Sequence, residues 1–138
     1  MTALSFAAMY VLMYAMVDRV DNALMNLNQV YMAGLMACAM VLIELALMRS
    51  MYTNARLNVF IAGGATVALV AVWIFTRQQT GIGDNQFLRS MIPHHASAIL
   101  MCQQAAIQDV RIKRLCQGIV TSQQAEIDQM KSLLEVQR

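Results

Sequence analysis

Apolar and polar residues are distributed very differently in the two halves of the chain. The part before residue 76 contains three apolar runs, Ala3–Val17, Val30–Met48 and Leu57–Phe75, whereas the rest mixes apolar and charged positions. The second and third runs are 19 residues long. That is close to the ~20 residues that an α-helix needs to cross the hydrocarbon core of a bilayer. The pattern therefore predicts a membrane half followed by a water-exposed half.

The first apolar run is shorter than the other two, with 15 residues. A secretory signal peptide is one interpretation of such a run, but a signal peptide has a basic segment before its apolar core and a small-x-small cleavage site after it. Neither flanks Ala3–Val17. We therefore predict three transmembrane helices, at about residues 2–17, 30–48 and 57–75. Together they form a membrane domain over residues 1–77.

Charged residues are scarce and follow the same division. The chain is 59% hydrophobic and 13% charged, against a usual charged share of roughly 25%. Six charged residues lie before residue 76, and the remaining twelve lie after it. The formal net charge of +2 comes from dispersed basic residues, so nothing suggests a nucleic-acid surface.

The two loops between the apolar runs differ in the sign of their charge. Arg49 and Arg56 lie between the second and third runs without any acid, whereas two aspartates accompany Arg19 in the earlier loop. Because cytoplasmic loops of membrane proteins are enriched in basic residues, the Arg49–Arg56 loop is predicted to be cytoplasmic. This orientation predicts a bacterial inner (cytoplasmic) membrane protein with a cytoplasmic N-terminus and a periplasmic C-terminal domain.

Three features of the membrane half invite interpretation. The segment Asp18–Gln29 carries apolar residues at helical intervals, as an amphipathic turn at the membrane interface does. Ten of the thirteen methionines fall in residues 1–51. They could form a copper-conducting thioether ladder, but we favour flexible apolar filler. Glu44 is the ionisable group inside a predicted span, and Arg49 or Arg56 is its expected structural partner.

The second half of the chain is predicted to be two helices joined by a turn. Asp84 and Asp109 stand where helix N-caps are expected. Apolar seams follow each of them at a spacing of three to four residues. The first seam is Leu88, Met91, His95, Ala98, Cys102 and Ala105, and the second is Ile112, Cys116, Ile119, Gln123, Ile127 (or Glu126), Met130 and Leu134. The predicted fold is thus all-α, with residues 78–138 forming an extracytoplasmic helical hairpin.

A hairpin of two helices covers its apolar stripe poorly. A second hairpin would complete a four-helix bundle, so we expect a homo-oligomer. The same incompleteness also suits docking onto a larger membrane complex. Both kinds of partner are expected in addition to the lipid bilayer.

Candidate metal ligands cluster near the middle of the first predicted hairpin helix. Met91, His94 and His95 stand at positions i, i+3 and i+4, so their side chains converge on one face. Met130 can reach that face from the second helix. Thioethers favour Cu(I), and imidazole also suits copper, so a Cu(I) or Ag(I) site is one interpretation. The other is that His95 is a core histidine bonded to Gln123, while His94 is exposed.

Further residues could support such a site. Gln123 or Glu126 could orient a histidine by accepting its second N–H, as groups behind metal ligands commonly do. Met101, Cys102 and Cys116 are secondary candidate ligands because their sulfur atoms are soft donors.

The cysteines also predict a covalent link. Cys102 and Cys116 occupy mirrored seam positions about Asp109, in a compartment predicted to be oxidising. We therefore expect them within disulfide reach. Cys38, in the second apolar run, is expected to remain a buried thiol.

Two segments of the hairpin resemble a known family. The sequence MIPHH at residues 91–95 and the sequence QQAEIDQM at residues 123–130 are similar to the Met-x-x-His-His and Gln-x-x-Glu-Ile-x-x-Met segments of the DUF 305 domain family. The resemblance covers about residues 84–135 and extends to members with a membrane anchor. It implies an exported, ferritin-like helical domain that in some members binds copper or silver through histidine and methionine. Cys102 and Cys116 are not part of the family pattern.

An enzyme is the less favoured class of function. His95 and Cys102 are seven residues apart on one helix, about 10 Å of rise, which separates a nucleophile from a base. The Glu-x-x-His motif of ferritin-like di-iron sites does not occur in the sequence. We expect no catalytic residues, and a membrane-anchored periplasmic protein that binds copper for copper handling or tolerance. The alternative is a non-catalytic accessory subunit of a larger membrane complex, with the hairpin as its docking module.

Overall fold

The computed structural model describes residues 1–48 and 50–136, and these residues form helices and loops without any strand. The α-helices are α1 (Thr2–Leu12), α2 (Leu27–Leu47), α3 (Ala55–Gln78), α4 (Asp84–Gln104) and α5 (Val110–Val136), with short 3-10 helices at Met13–Met16 and Val20–Asn22. The all-α prediction is confirmed. The chain divides into two compact units, one made of Met1–Met13 and Asn28–Gly81, the other of Tyr14–Leu27 and Ile82–Arg138.

In the first unit, α2 and α3 lie side by side. The side-chain amides of Asn28 and Gln79 bond to each other at 3.1 Å, and the Tyr31 hydroxyl donates to the carbonyl of Thr80 at 2.6 Å. Farther along, Gly34 faces Val72 at van der Waals distance. The small residues of α2 therefore allow a close approach between the helices, as small residues do at membrane helix interfaces.

Two helices in the described residues, α2 and α3, are long and apolar enough to cross a membrane, and the prediction of three spans is wrong. Helix α1 has 11 residues before the chain tightens into a 3-10 turn, and 11 residues of α-helix rise only about 16 Å. Almost none of the apolar surface of α2 and α3 is buried within the structure, 11% and 0% of the residues in their most apolar windows. Core helices of soluble proteins, by contrast, are mostly buried.

Within the described residues, Glu44 has a tyrosine as a hydrogen-bond partner. The Tyr52 hydroxyl donates to the Glu44 carboxylate at 3.1 Å. This hydrogen bond and the nearby negative charge raise the pKa of Tyr52 above its ordinary value. The prediction named Arg49 or Arg56 as the partner of Glu44. Arg49 lies outside the described residues.

In the second unit, α4 and α5 form the predicted hairpin around a small apolar core. The buried apolar side chains are those of Leu88, Ile92, Ala96, Ile99, Ile127 and Met130, with Val17, Leu24, Met91, Val120 and Leu134 packed against them. The predicted seam is therefore only partly correct. On α4 the prediction named Leu88 and His95 correctly, since both are buried. It also named Met91 and Ala98, which are half-buried, whereas the neighbouring Ile92 and Ile99 are the buried residues. The physical reason is that α4 packs on two neighbours, α5 and the 3-10 helix Val20–Asn22.

The segment before α2, predicted as an amphipathic turn at the membrane interface, packs within the second unit. Asn22 and Asn26 are buried, and the Asn22 amide donates to the Asp18 carboxylate at 2.7 Å. The backbone N–H of Leu27 donates to the side chain of Gln86 on α4 at 3.0 Å. The bond between Leu27 and Gln86 ties the segment to α4 of the hairpin.

The turn of the hairpin is closed by a helix cap and a disulfide. The Asp109 carboxylate accepts a hydrogen bond from the backbone N–H of Arg111 at 2.7 Å, which is the N-cap arrangement predicted from the sequence. Cys102 and Cys116 form a disulfide, with Cα atoms 5.2 Å apart, so the prediction of disulfide reach is confirmed. Cys38 is a free thiol as expected, but it is half-buried rather than buried.

Candidate metal site

His94 and His95 lie in the middle of α4, directly after the buried Pro93. Neighbouring residues of an α-helix point about 100° apart, so the two side chains leave the helix in different directions. His95 is turned into the hairpin and is 7% exposed, whereas His94 faces outward. Their ring centroids are 6.0 Å apart, with the rings edge to face.

Both ring nitrogens of His95 make hydrogen bonds. Nδ1 lies 2.9 Å from the carbonyl oxygen of Met91, one turn earlier on α4. Because a carbonyl only accepts, Nδ1 carries a proton and donates it. Nε2 lies 2.7 Å from a carboxylate oxygen of Glu126 on α5. Glu126, rather than Gln123, is therefore the residue that contacts His95 from the second helix.

The two partners of the His95–Glu126 pair differ in burial, since His95 is inside the hairpin and Glu126 is at its surface. The side chain of His95 is 9% exposed and that of Glu126 is 52% exposed. The carboxylate can thus leave Nε2 and be hydrated at small cost, while the imidazole stays fixed by Met91. Nε2 is consequently the nitrogen of His95 that can be freed for another partner.

The two methionines of the predicted site belong to the same core. Met130 is buried on α5, and Met91 packs against the cluster that contains it. Met91 also bonds to His95 through its carbonyl oxygen. The structure thus brings Met91, His95 and Met130 into one region of the hairpin and leaves His94 on its outer face.

The secondary candidates do not join this group. Met101 is exposed, and Cys102 and Cys116 are consumed by their disulfide, which offers no thiolate. Among residues 1–48 and 50–136, no three histidine, cysteine, aspartate or glutamate side chains come together in a group that could hold a metal ion. The predicted site would therefore depend on its methionine thioethers, which lie outside those four residue types.

Sequence reasoning gave Glu126 only an optional orienting role, as an alternative to Gln123. Helical spacing gives a partial signal for Glu126. Glu126 precedes the buried Ile127 by one residue and Met130 by four, at the level of α5 that faces His95. Gln123 lies almost one turn before Glu126. Only the hairpin register, fixed by contacts between the helices, decides between the two.

Comparison with known proteins identifies the family of the chain. Residues 67–134, from the second half of α3 to near the end of α5, match the domain of unknown function DUF305. The chain is also 33% identical over 139 aligned residues to "Uncharacterized protein L153" of Acanthamoeba polyphaga mimivirus, covering 98% of this chain and 89% of the viral protein. No solved structure matches the chain. The family match covers the hairpin and part of the preceding apolar helix, and the separate match to the viral protein covers nearly the whole chain. The chain therefore belongs to the DUF305 family.

Proposed function

We propose that this chain is a membrane-anchored protein whose hairpin binds Cu(I) or Ag(I) through Met91, His94, His95 and Met130, for copper handling or tolerance. The observation that carries the proposal is the arrangement of His95. Its Nδ1–H is anchored to a backbone carbonyl, and its Nε2 meets a half-exposed carboxylate. Metal-binding histidines commonly have this arrangement, in which one nitrogen is held by the protein and the other is directed at the ion.

The donor set fits a soft ion. Thioethers and imidazoles favour Cu(I) over hard cations such as Mg²⁺ or Ca²⁺, which take oxygen ligands. Met91 and Met130 are already ordered by packing in the core, so little side-chain freedom remains to be lost on binding. An ion bound there would displace the proton that lies between Nε2 and Glu126, and this proton would leave to solvent. Glu126 would then turn to solvent, and His94 would supply the donor nearest the surface.

The hairpin is anchored, in this proposal, by α2 and α3 in the inner membrane of a bacterium. The loop that contains Arg49 and Arg56 lies in the cytoplasm by the positive-inside rule, which places the hairpin in the periplasm. Two spans with a cytoplasmic loop between them place the start of α2 on the same side of the membrane as the hairpin. The cytoplasmic N-terminus expected from three spans is therefore not part of this proposal. A periplasmic hairpin is where copper defence and delivery would need it.

Competition with a chromophoric Cu(I) chelator tests the site. The full-length chain in detergent, with its disulfide intact, should withdraw one Cu(I) from the chelator. His94→Ala and His95→Ala together should abolish this, whereas Gln129→Ala, an exposed change on α5, should leave it unchanged. Equal copper retention by the wild type and the histidine double variant would rule out the site.

A second candidate function is an accessory subunit of a larger membrane complex. It is favoured by the apolar side chains that open α5, since Val110, Ile112 and Leu115 are all exposed. Crosslinking in native membranes distinguishes the possibilities. A homodimer or larger homo-oligomer supports completion of a four-helix bundle, and a stoichiometric foreign subunit supports the accessory role.

A further inference from the structure

The disulfide lies at the end of the hairpin where α4 turns into α5. Cys102 is in the last turn of α4, and Cys116 is in the second turn of α5. Neither sulfur belongs to the apolar core, which runs from Leu88 to Ile99 on α4 and includes Ile127 and Met130 on α5. The core and the Asp109 cap would therefore hold the two cysteines near each other even without the covalent bond.

The disulfide is also accessible. Both cysteines are half-buried and line an open groove of about 460 Å³. Lys113, one turn before Cys116, lines the same groove and brings a positive charge that stabilises negative charge on the sulfurs. A reductant can reach the bond, and the thiolates that result would face solvent rather than the core.

We infer that this groove is a second soft-metal site, formed by Cys102 and Cys116 when their disulfide is reduced. An external dithiol supplies the electrons. One of its thiolates attacks a disulfide sulfur, the bond between Cys102 and Cys116 breaks, and the dithiol leaves as a disulfide after passing through a mixed disulfide. Two electrons and two protons are transferred to the cysteines. A monovalent soft ion then displaces the thiol protons and binds both sulfurs.

This site is independent of the one proposed at His95. Cys102 follows His95 by seven residues, about 10 Å along the helix, so the two sites cannot share one ion. The oxidised chain would then carry only the histidine and methionine site, and the reduced chain would carry both. The redox state of the compartment would set how many soft ions the hairpin holds.

Silver titration of the full-length chain tests the inference, because Ag(I) binds thiolates without being reduced by them under these conditions. The detergent-solubilised protein is treated with dithiothreitol without denaturant, freed of it under anaerobic conditions, and compared with the oxidised protein. Reduction should make Cys102 and Cys116 alkylatable, preserve the helical circular dichroism signal, and add one tightly bound Ag(I) per chain. The same gain is expected in the His94→Ala/His95→Ala variant, which separates this site from the proposed function.

The matched control is the Cys102→Ser/Cys116→Ser variant, which retains Cys38 and therefore any silver bound to that thiol. It should gain no Ag(I) after the same treatment. Three results would each overturn the inference: a disulfide that resists the dithiol in the folded protein, loss of the helical signal on reduction, or an equal silver gain in the serine variant.

Discussion

The α2–α3 pair and the α4–α5 pair are both helical hairpins. Almost none of the apolar side chains of the first pair are buried, whereas the second pair buries an apolar core between its helices. The first pair has mean hydropathies of 2.1 and 2.2 in its most apolar windows and leaves that surface exposed. The second pair gathers six apolar residues into a buried cluster and faces water with charged and amide side chains. Hydropathy alone therefore does not indicate which apolar side chains are buried, and in the second pair the position of an apolar residue on its helix does.

This difference has a consequence for where function is located. A helix surrounded by lipid gains little from packing its apolar side chains on another helix, so close approach through small residues dominates. A hairpin in water must hide its apolar face, and the few polar groups that it buries must be paired. His95, with both nitrogens bonded, is such a group in α4.

The strongest prediction tests the proposed orientation of the two regions in a membrane. With Cys38 replaced by serine, Ser122→Cys on the hairpin should react completely with a membrane-impermeant maleimide on intact cells. Thr53→Cys, in the loop between α2 and α3, should react only after the cells are opened. Labelling of Thr53→Cys on intact cells would overturn the proposed orientation.

The next prediction compares a buried with an exposed apolar residue. Ile127→Ala should destabilise the α4–α5 hairpin by about 2–5 kcal/mol, because a fully buried side chain leaves a cavity. Val67→Ala on α3, where the side chain is 70% exposed, should change local stability by less than about 0.5 kcal/mol. Hydrogen exchange of peptides from each helix, followed by mass spectrometry, measures both. Similar effects at the two positions would remove the distinction between the regions.

A smaller effect is expected at the surface of the hairpin. Glu126→Ala removes the partner of His95 Nε2 and should destabilise the hairpin by about 1 kcal/mol. Gln123→Ala, which leaves the His95–Glu126 pair intact, should have a weaker effect. Hydrogen exchange in α4 around residue 95 reports the difference. The assignment of Glu126 as the partner fails if Gln123→Ala is the more damaging change.

The smallest effect concerns the cap of α5. The Arg111 side chain and backbone donate to Asp109 and hold the pKa of that carboxyl below its ordinary value. An aspartate with a lowered pKa stabilises the folded state above its unfolded pKa, and this contribution is lost as the pH falls through the folded pKa. Asp109→Asn should therefore lower the unfolding midpoint at pH 7, and the gap to the wild type should close in strong acid. A gap that is unchanged at pH 2 would contradict this electrostatic role.

Local sequence patterns predicted the helices well and their partners less well. The apolar runs Val30–Met48 and Leu57–Phe75 became α2 and α3. Helix α2 begins earlier, at Leu27, and ends at Leu47, whereas α3 is extended at both ends. Reflection about Asp109 correctly predicted the pairing of Cys102 with Cys116, because a short turn leaves little freedom in register.

The contacts that were missed join residues far apart in the chain. Leu24 packs against the hairpin core, which is 64 or more residues away in sequence, and periodicity within one segment carries no information about such a partner. The α4 seam was misassigned for the same reason, since a helix with two neighbours buries a wider stripe than a helix with one. At the candidate site, the sequence supplied Met91, His95 and Met130, but the hairpin register was needed to select Glu126 over Gln123.

The most direct test of the central proposal is to observe the imidazole nitrogens while a soft ion is added. Nitrogen NMR of the full-length chain, labelled at histidine, with Cys38 replaced by serine and the disulfide intact, is recorded during titration with Ag(I). We predict that one equivalent shifts Nε2 of His95 strongly, while Nδ1 keeps its proton and its bond to the Met91 carbonyl. Histidine signals that remain unchanged after one equivalent of Ag(I) would contradict the account.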